Sequence, residues 1–269
     1  MKEIVCVRGG GDLATGVVQK LVRAGFWVYV LECAQPTAIR RTVALASAIK
    51  HGQYTVEDIT SVYMECASAQ DMQEKWDQHL VPIFADPQAN TCKKIKPLVV
   101  VDAILAKRNM GTTHEMAPIT IGLGPGFCAP RDVDAAIETM RGHDLGRLIL
   151  KGSPAQNTGI PGQIGGKSDE RVLRTPVAGV IQHCSQIGDW VKEGQPIFSV
   201  GNQIVNAPFE GRLRGLLEEG MHVPAGFKVA DIDPRKQDES VMRTISDKAR
   251  CLGGAALEAI LYLKRIKKC

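Results

Sequence analysis

No apolar run in this 269-residue chain reaches the roughly 18 residues needed to cross a bilayer, and the N-terminus passes straight into a strand pattern. Membrane insertion and a secretory leader are therefore not expected. The eight cysteines are scattered and form no C-x-x-C pair, so they read as reduced thiols of a cytoplasmic protein, with no metal-binding constellation among them. The net charge of +4 is too small to argue for a nucleic-acid partner. Much of that excess sits in Lys264, Arg265, Lys267 and Lys268, near the negative end of a final helix, where cations are favoured anyway. What remains is 44% hydrophobic and 23% charged residues, the balance of a globular chain with a real core.

The stretch Glu3 to Glu32 organises the rest. Ile4-Val5-Cys6-Val7 is a short apolar run of strand length, and it opens after Arg8 into Gly9-Gly10-Gly11-Asp12-Leu13-Ala14-Thr15-Gly16. Leu13, Val17 and Leu21 fall at helical spacing, Ala24-Gly25 closes the helix, and Trp27 to Leu31 forms a second strand ending at Glu32. Strand, glycine turn, helix and strand make a βαβ unit. Gly9, Gly11 and Ala14 fit the dinucleotide fingerprint, in which backbone N–H groups and the positive helix end approach a pyrophosphate. Glu32, 21 residues after Gly11, stands where such a unit presents a ribose-binding acid. Asp12 opposes a phosphate unless it serves the helix start. The alternative is a tight turn with no ligand.

After Pro36, Ala38 to Lys50 reads as a helix carrying Arg40 and Arg41 near its start, where basic side chains oppose the dipole. These arginines are either solvated or face an anion at the glycine turn. Asp86 and Asp102 end two further strands, and acids at strand ends either face the ligand crevice or cap turns. A second glycine turn, Gly122-Leu123-Gly124-Pro125-Gly126-Phe127, follows the strand Pro118 to Ile121 and precedes an expected helix from Pro130. Arg147 to Leu150 reads as a last strand, followed by a long loop over Gly152 to Gly162 that includes Asn157 and Thr158. Gly166-Lys167-Ser168 is rejected as a P-loop tail, since Pro161 stands where that motif needs glycine. No nucleophile or general base emerges. His114-Glu115 and His143-Asp144 are adjacent pairs that read as solvated, and Cys33 is either a buried thiol or a sulfur or selenium carrier.

From Thr175 the chain repeats with a period of 32: Pro176 and Pro208, Gly179 and Gly211, Gly188 and Gly220, Val191 and Val223, Gly194 and Gly226. Two such copies resemble the biotinyl/lipoyl carrier fold. The hairpin between them, Ser199 to Asn206, has no lysine, and none occurs between Lys192 and Lys228. The module therefore reads as docking or structural, without carrying biotin or lipoate. A helix with Val241, Ile245, Ala249, Leu252, Ala256, Ile260 and Leu263 on one face ends the chain.

The expected fold class is thus α/β, with a Rossmann-like parallel sheet domain over 1–170. A small biotinyl/lipoyl-like (barrel-sandwich hybrid) β domain follows over 171–234, and a C-terminal helix over 235–269 packs back on the first domain. In order along the chain come Gly9 to Gly16, Ile39-Arg40-Arg41-Thr42-Val43, Gly122 to Phe127, Glu138 to Arg147 and Asn157-Thr158-Gly159-Ile160-Pro161-Gly162. Together with the lysine-free repeat and Ile245 to Lys248, this series resembles the YqeB-type accessory proteins of selenium-dependent molybdenum hydroxylases. The resemblance implies a role in maturing such enzymes, with a molybdenum hydroxylase as client. It implies a ligand that is the molybdenum cofactor or another phosphate-bearing nucleotide, and it supplies no catalytic residues. The site residues expected for that ligand are Gly9, Gly10, Gly11, Asp12, Leu13, Ala14, Thr15, Glu32, Arg40, Arg41, Gly124, Pro125, Gly126, Asn157 and Thr158, with Arg131 or Arg141 as further sources of charge. An NAD(P)-dependent oxidoreductase and a non-catalytic scaffold stand as alternatives, and homo-oligomerisation stays open.

Overall fold

The computed structural model describes residues 3–159 and 162–268. They divide into two compact units. The first comprises Met1–Pro36, Ala44–Asn157 and Ile245–Cys269, and the second Thr37–Val43 and Thr158–Thr244.

The first unit is built on nine strands. In chain order its elements are β1 (Ile4–Arg8), α1 (Asp12–Arg23), β2 (Trp27–Glu32), α2 (Ala48–His51), β3 (Gln53–Val56), β4 (Ile59–Tyr63), α3 (Ala69–Asp77), β5 (Leu80–Ala85), α4 (Asn90–Ile95), β6 (Val99–Asp102), β7 (Ile119–Leu123), β8 (Ala135–Ile137) and β9 (Leu148–Ile149). Spatial order is β3-β4-β5-β2-β1-β6-β7-β8-β9. Pairing from β4 to β8 is parallel, whereas the edge pairs β3–β4 and β8–β9 are antiparallel. Because both faces are covered, the central strands are continuously apolar rather than alternating. One face, with Cys6, Tyr29, Leu31, Phe84 and Val100, packs against Met72 and Trp76 of α3 and Cys92 of α4. Trp76 also stacks on Trp27 at 5.1 Å between ring centroids. A final helix returns to this unit over Asp247–Lys267 and packs along α1, reaching β7 and β8 as well.

The second unit holds β10 (Val172–Arg174), β11 (Gly179–His183), β12 (Trp190–Val191), β13 (Pro196–Val200), β14 (Gln203–Asn206), β15 (Gly211–Leu216), β16 (His222–Val223) and β17 (Lys228–Asp233). They form two four-stranded antiparallel sheets, β10-β17-β15-β12 and β14-β13-β11-β16. The halves of the repeat exchange partners: β11 pairs with β16, and β12 with β15. Neither half can close its sheet alone, which gives the 32-residue period its physical meaning. The helix over Asp247–Lys267, set apart by the second unit from the rest of the first, is α5.

These findings correct the expected fold class of a Rossmann-like parallel sheet domain followed by a barrel-sandwich hybrid domain. The sheet of the first unit is mixed and nine-stranded, and two antiparallel sheets make up the second. Two local causes can be named. The segment 53–63 is a hairpin that adds an antiparallel edge, and its exposed turn places Glu57 at φ +53. The helix expected from Pro130 does not form, because its capping acids bond elsewhere: Asp132 accepts from the Cys128 N–H at 2.9 Å and Asp134 from the Thr120 N–H at 2.8 Å. Ala135–Ile137 then extends as a strand beside β7. The helix expected over Ala38 to Lys50 also fails. Only 3-10 turns at 41–43 and 45–47 and the short α2 occur, because the Ile39 carbonyl is taken by the Leu216 N–H at 2.8 Å and the first residues join the second unit.

Candidate functional site

In an open parallel sheet, ligands bind outside the carboxyl ends of strands where the chain reverses its direction of winding. Here that point lies between β1 and β6, since β2, β5 and β4 extend to one side of β1 and β6, β7 and β8 to the other. Both strands end in charge, Arg8 and Asp102, and the first glycine turn starts directly after Arg8.

The three glycines of that turn serve different purposes. Gly9 lies at φ +96, and an added Cβ would stand 2.8 Å from the Ala103 carbonyl oxygen, so a side chain is doubly excluded. Gly10 is buried against Ala46, and its carbonyl accepts from the Ala46 N–H at 2.8 Å. Gly11 is the N-cap of α1 at an ordinary φ of −68, with no side-chain cap and nothing within 4 Å of an added Cβ. The Gly9 N–H is spent on the Leu31 carbonyl at 2.7 Å and the Gly10 N–H on Glu32 Oε2 at 2.9 Å. The helix start follows at Gly11, Asp12 and Leu13, whose N–H groups have no acceptor within the helix itself. Ala14 and Thr15 are fully buried, and the Thr15 hydroxyl is engaged internally, donating to the Gly11 carbonyl and accepting from the Leu45 N–H.

Glu32 works as a brace. Its two oxygens accept from the N–H groups of Gly10 (2.9 Å) and Cys33 (2.8 Å), which pins the turn to the tip of β2 and uses one lone pair on each oxygen. Glu32→Ala is expected to cost about 1–3 kcal/mol in urea denaturation by orphaning both donors, and Glu32→Gln, with one acceptor oxygen left, to recover part of it. Cys33 beside it is a poor carrier of sulfur or selenium. Burial and the Glu32 carboxylate push its thiol up to about 12, away from the reactive thiolate.

Sequence reasoning missed the role of Arg8. Its side chain is fully buried and donates to the Pro87 carbonyl (2.8 Å), the Met110 carbonyl (3.2 Å), the Thr112 hydroxyl and Asp102 (3.5 Å). Asp102 in turn accepts from Thr112 Oγ1 at 2.6 Å and from the Ile104 N–H at 3.1 Å. Of the two readings open for Asp102, the bond from the Ile104 N–H is that of a turn-capping acid, and the buried pair clamps the loops after β5 and β6. An arginine ending one strand beside a strand ending in aspartate was the available signal.

The second glycine turn lies on the same edge of the sheet. An added Cβ at Gly124 would meet Thr139 Oγ1 at 2.7 Å and Leu105 Cδ2 at 3.5 Å, so the loops after β6, β7 and β8 converge there. Pro125 is half-buried and Gly126 exposed, against the backbone of Arg108. Glu138 is buried and accepts from the N–H groups of Thr139 and Met140 (2.6 Å each) and Ala155 (2.7 Å). Arg141 makes a two-point pair with Asp247 at the start of α5, at 2.9 and 3.0 Å.

Other expected residues do not join this group. Arg40 and Arg41 belong to the second unit, where Arg41 donates to the Leu216 carbonyl (2.8 Å) and to Glu218 (3.4 Å). Arg131 pairs with its neighbour Asp132 at 3.0 Å. Asn157 ends one segment of the first unit and Thr158 begins the next segment of the second; both are exposed, and Ile160 and Pro161 lie outside the described residues. His114 sits before β7, at its amino end, with Asp134 at 3.4 Å and Thr120 Oγ1 at 3.3 Å, far along the strand from the glycine turns. No group of three or more His, Cys, Asp or Glu able to hold a metal occurs among the described residues.

Over 261 residues, 97% of its length, the chain is 46% identical to a protein of Escherichia coli K12 described as "Uncharacterized protein YqeB". The chain is similar to YqeB. That similarity carries no information about selenium or molybdenum. The chain spans about half the length, 48%, of this curated relative. No family model matches it. Among solved structures it is similar to an aspartoacylase family protein from Mesorhizobium loti (11% identity, 88% of this chain and 87% of that one, TM-score 0.28). It is also similar to a succinylglutamate desuccinylase from Silicibacter sp. TM1040 (14%, 86% and 84%, TM-score 0.26). At these scores the likeness supports no conclusion about activity. No helix among the described residues is long and apolar enough to cross a membrane.

Proposed function

We propose that the first unit holds a phosphate-bearing nucleotide or cofactor at the carboxyl ends of β1 and β6, in the service of maturing selenium-dependent molybdenum hydroxylases. One observation carries the ligand: α1 begins at a glycine with no side-chain cap and with nothing within 4 Å of the place a Cβ would take there. Backbone N–H groups at the positive end of a helix suit a phosphate. A molybdopterin dinucleotide fits that feature through its pyrophosphate, with Gly11, Asp12 and Leu13 supplying backbone N–H groups. The molybdenum chemistry would be the cofactor's own. The lysine-free repeat is assigned to recognition of the client enzyme, and the free thiols of Cys6, Cys33, Cys66, Cys92, Cys128, Cys184 and Cys251 agree with a cytoplasmic setting. A second reading, an NAD(P)-dependent oxidoreductase, is favoured by Glu32 at the tip of β2, although both of its oxygens already serve backbone donors.

Gly11→Ala separates these readings. The added methyl meets nothing within 4 Å, so the unliganded variant should lose only the difference between glycine and alanine as N-cap, about 1 kcal/mol or less. The methyl nevertheless enters the space a phosphate would use. Native mass spectrometry and thermal shift with CTP, molybdopterin cytosine dinucleotide, NAD(H) and NADP(H) should show a pterin or cytidine ligand stabilising wild type but not the variant. A ligand at 100 times its Kd adds about 2.7 kcal/mol, which is readily seen. Selective binding of NAD(H) would transfer the assignment to the oxidoreductase, and equal stabilisation of both proteins would remove the turn as the site. Binding of none would favour a scaffold.

A further inference from the structure

The sheet face covered by α3 and α4 holds a pair of thiols that the glycine-turn site does not use. Cys6 of β1 and Cys92 of α4 are 86 residues apart in sequence, yet their sulfurs lie 3.6 Å from one another. Both are buried, in the apolar cluster that includes Met72, Trp76 and Phe84. The Tyr29 hydroxyl, buried with them, donates to Cys92 Sγ at 3.4 Å. Packing explains small apolar side chains at these positions. It does not explain two sulfurs brought face to face with a phenolic donor on one of them, an arrangement that favours that sulfur as a thiolate.

We propose that Cys6 and Cys92 are a redox pair, joined to a disulfide by a hydroperoxide and reopened by an external dithiol. The Cys92 thiolate attacks one peroxide oxygen, so that an S–O bond forms and the O–O bond breaks. The departing hydroxide takes up the proton Cys92 gave up and leaves as water, and Cys92 becomes a sulfenic acid. Cys6 then attacks that sulfur. The S–S bond forms, the S–O bond breaks, and a second water leaves with the Cys6 proton. In sum the two thiols lose two electrons and two protons, and hydrogen peroxide is reduced to two waters.

The sulfurs have to close from 3.6 Å to about 2 Å for this bond. α4 is the element placed to make that movement. It has only six residues and is bounded by two non-glycine residues in the left-handed region, Ala89 at φ +57 and Lys96 at φ +52. β1, by contrast, is fixed inside the sheet between β2 and β6. Arg8, two residues after Cys6, already holds the Pro87 carbonyl of the loop leading into α4 at 2.8 Å. A disulfide would tie the same region to β1 at a second point.

The electrostatics divide the two roles. Burial pushes the Cys6 thiol well up. The hydrogen bond with Cys6 draws Cys92 down from its ordinary value, helped by the Tyr29 hydroxyl and the Arg8 charge, against burial and Asp86. Cys92 is thus the attacking thiolate and Cys6 the resolving thiol. In a reducing compartment such a bond is transient and serves redox sensing rather than permanent stapling.

The test is peptide mapping of the full chain. Reduced protein is freed of reductant, exposed to hydrogen peroxide, quenched with catalase, and denatured in N-ethylmaleimide so that every remaining thiol is blocked before digestion. Wild type should yield a linked Cys6–Cys92 peptide pair, two hydrogens lighter than the separate peptides and absent after dithiothreitol. In Cys6→Ala, which removes the resolving thiol, Cys92 should accumulate as a sulfenic acid that dimedone traps, and Cys92→Ala should leave Cys6 unoxidised. Thermal unfolding checks that both variants are folded. Recovery of Cys6 and Cys92 as maleimide adducts from wild type, under conditions that oxidise the exposed Cys66, Cys184 and Cys251, overturns the proposal whatever the variants do. Equal dimedone trapping of Cys92 in wild type and Cys6→Ala overturns it also, since Cys6 would then resolve nothing.

Discussion

Asp102→Ala is expected to destabilise the first unit by about 3–5 kcal/mol, the cost of leaving a buried arginine without its counter-ion. Arg8 and Asp102 are each at most 2% exposed, so removing the carboxylate leaves the guanidinium charge buried. Urea denaturation should show the midpoint falling while the slope is unchanged. The double variant Arg8→Met/Asp102→Leu should recover much of the loss, since replacing both charges by apolar groups of similar size removes the uncompensated desolvation. The pH dependence has a definite sign. Burial raises the folded-state pKa of Asp102 despite the hydrogen bond from Thr112 and the charge of Arg8. A carboxyl raised on folding contributes stability that is fully present below its unfolded value, about 3.9, and is lost as pH rises through its folded value. Wild type should therefore gain on Asp102→Asn as pH is lowered from neutrality toward 4. A gap between the two that stays constant over this range would contradict the buried, titrating carboxyl.

Two adjacent glycines of α5 should respond in opposite directions. An added Cβ at Gly253 would run into the carbonyl oxygen of Gly16 on α1 and lie 2.8 Å from Lys20 Cγ, whereas one at Gly254 would meet nothing within 4 Å. Gly253→Ala should force α1 and α5 apart and cost about 3 kcal/mol, the upper part of the usual range for overpacking. Gly254→Ala should stabilise by about 0.5–1 kcal/mol, because alanine loses less backbone freedom than glycine in a helix interior. Thermal unfolding of both variants measures the difference. Equal effects would mean that these helices are not in backbone contact. Gly16→Ala should mirror Gly253→Ala, since its Cβ would strike the Ala249 carbonyl from the other side.

The local pattern of residues by itself determined β1, α1 and β2, the apolar runs of β5, β6 and β7, the face of α5 and the 32-residue repeat. Each of these is written in periodicity and punctuation within about thirty residues, where short-range sterics and burial agree. Sequence also located the first glycine turn and the acid at the tip of β2. It did not show that Glu32 braces the turn by taking up the Gly10 N–H, or that Ala14 and Thr15 face inward. Those outcomes depend on which N–H groups the neighbouring strands consume.

Only the tertiary structure decided the rest. Whether an aspartate caps a helix or bonds a strand, as Asp132 and Asp134 do, depends on a backbone donor brought near by folding. Whether Ala38 to Lys50 winds into a helix depends on β15, more than 170 residues away, taking the Ile39 carbonyl. The meeting of Arg141 with Asp247 needs α5 to come back to the first unit after an entire second unit in the sequence. Local propensity is worth tenths of a kcal/mol per residue, and a buried hydrogen bond or ion pair to a distant partner outweighs it.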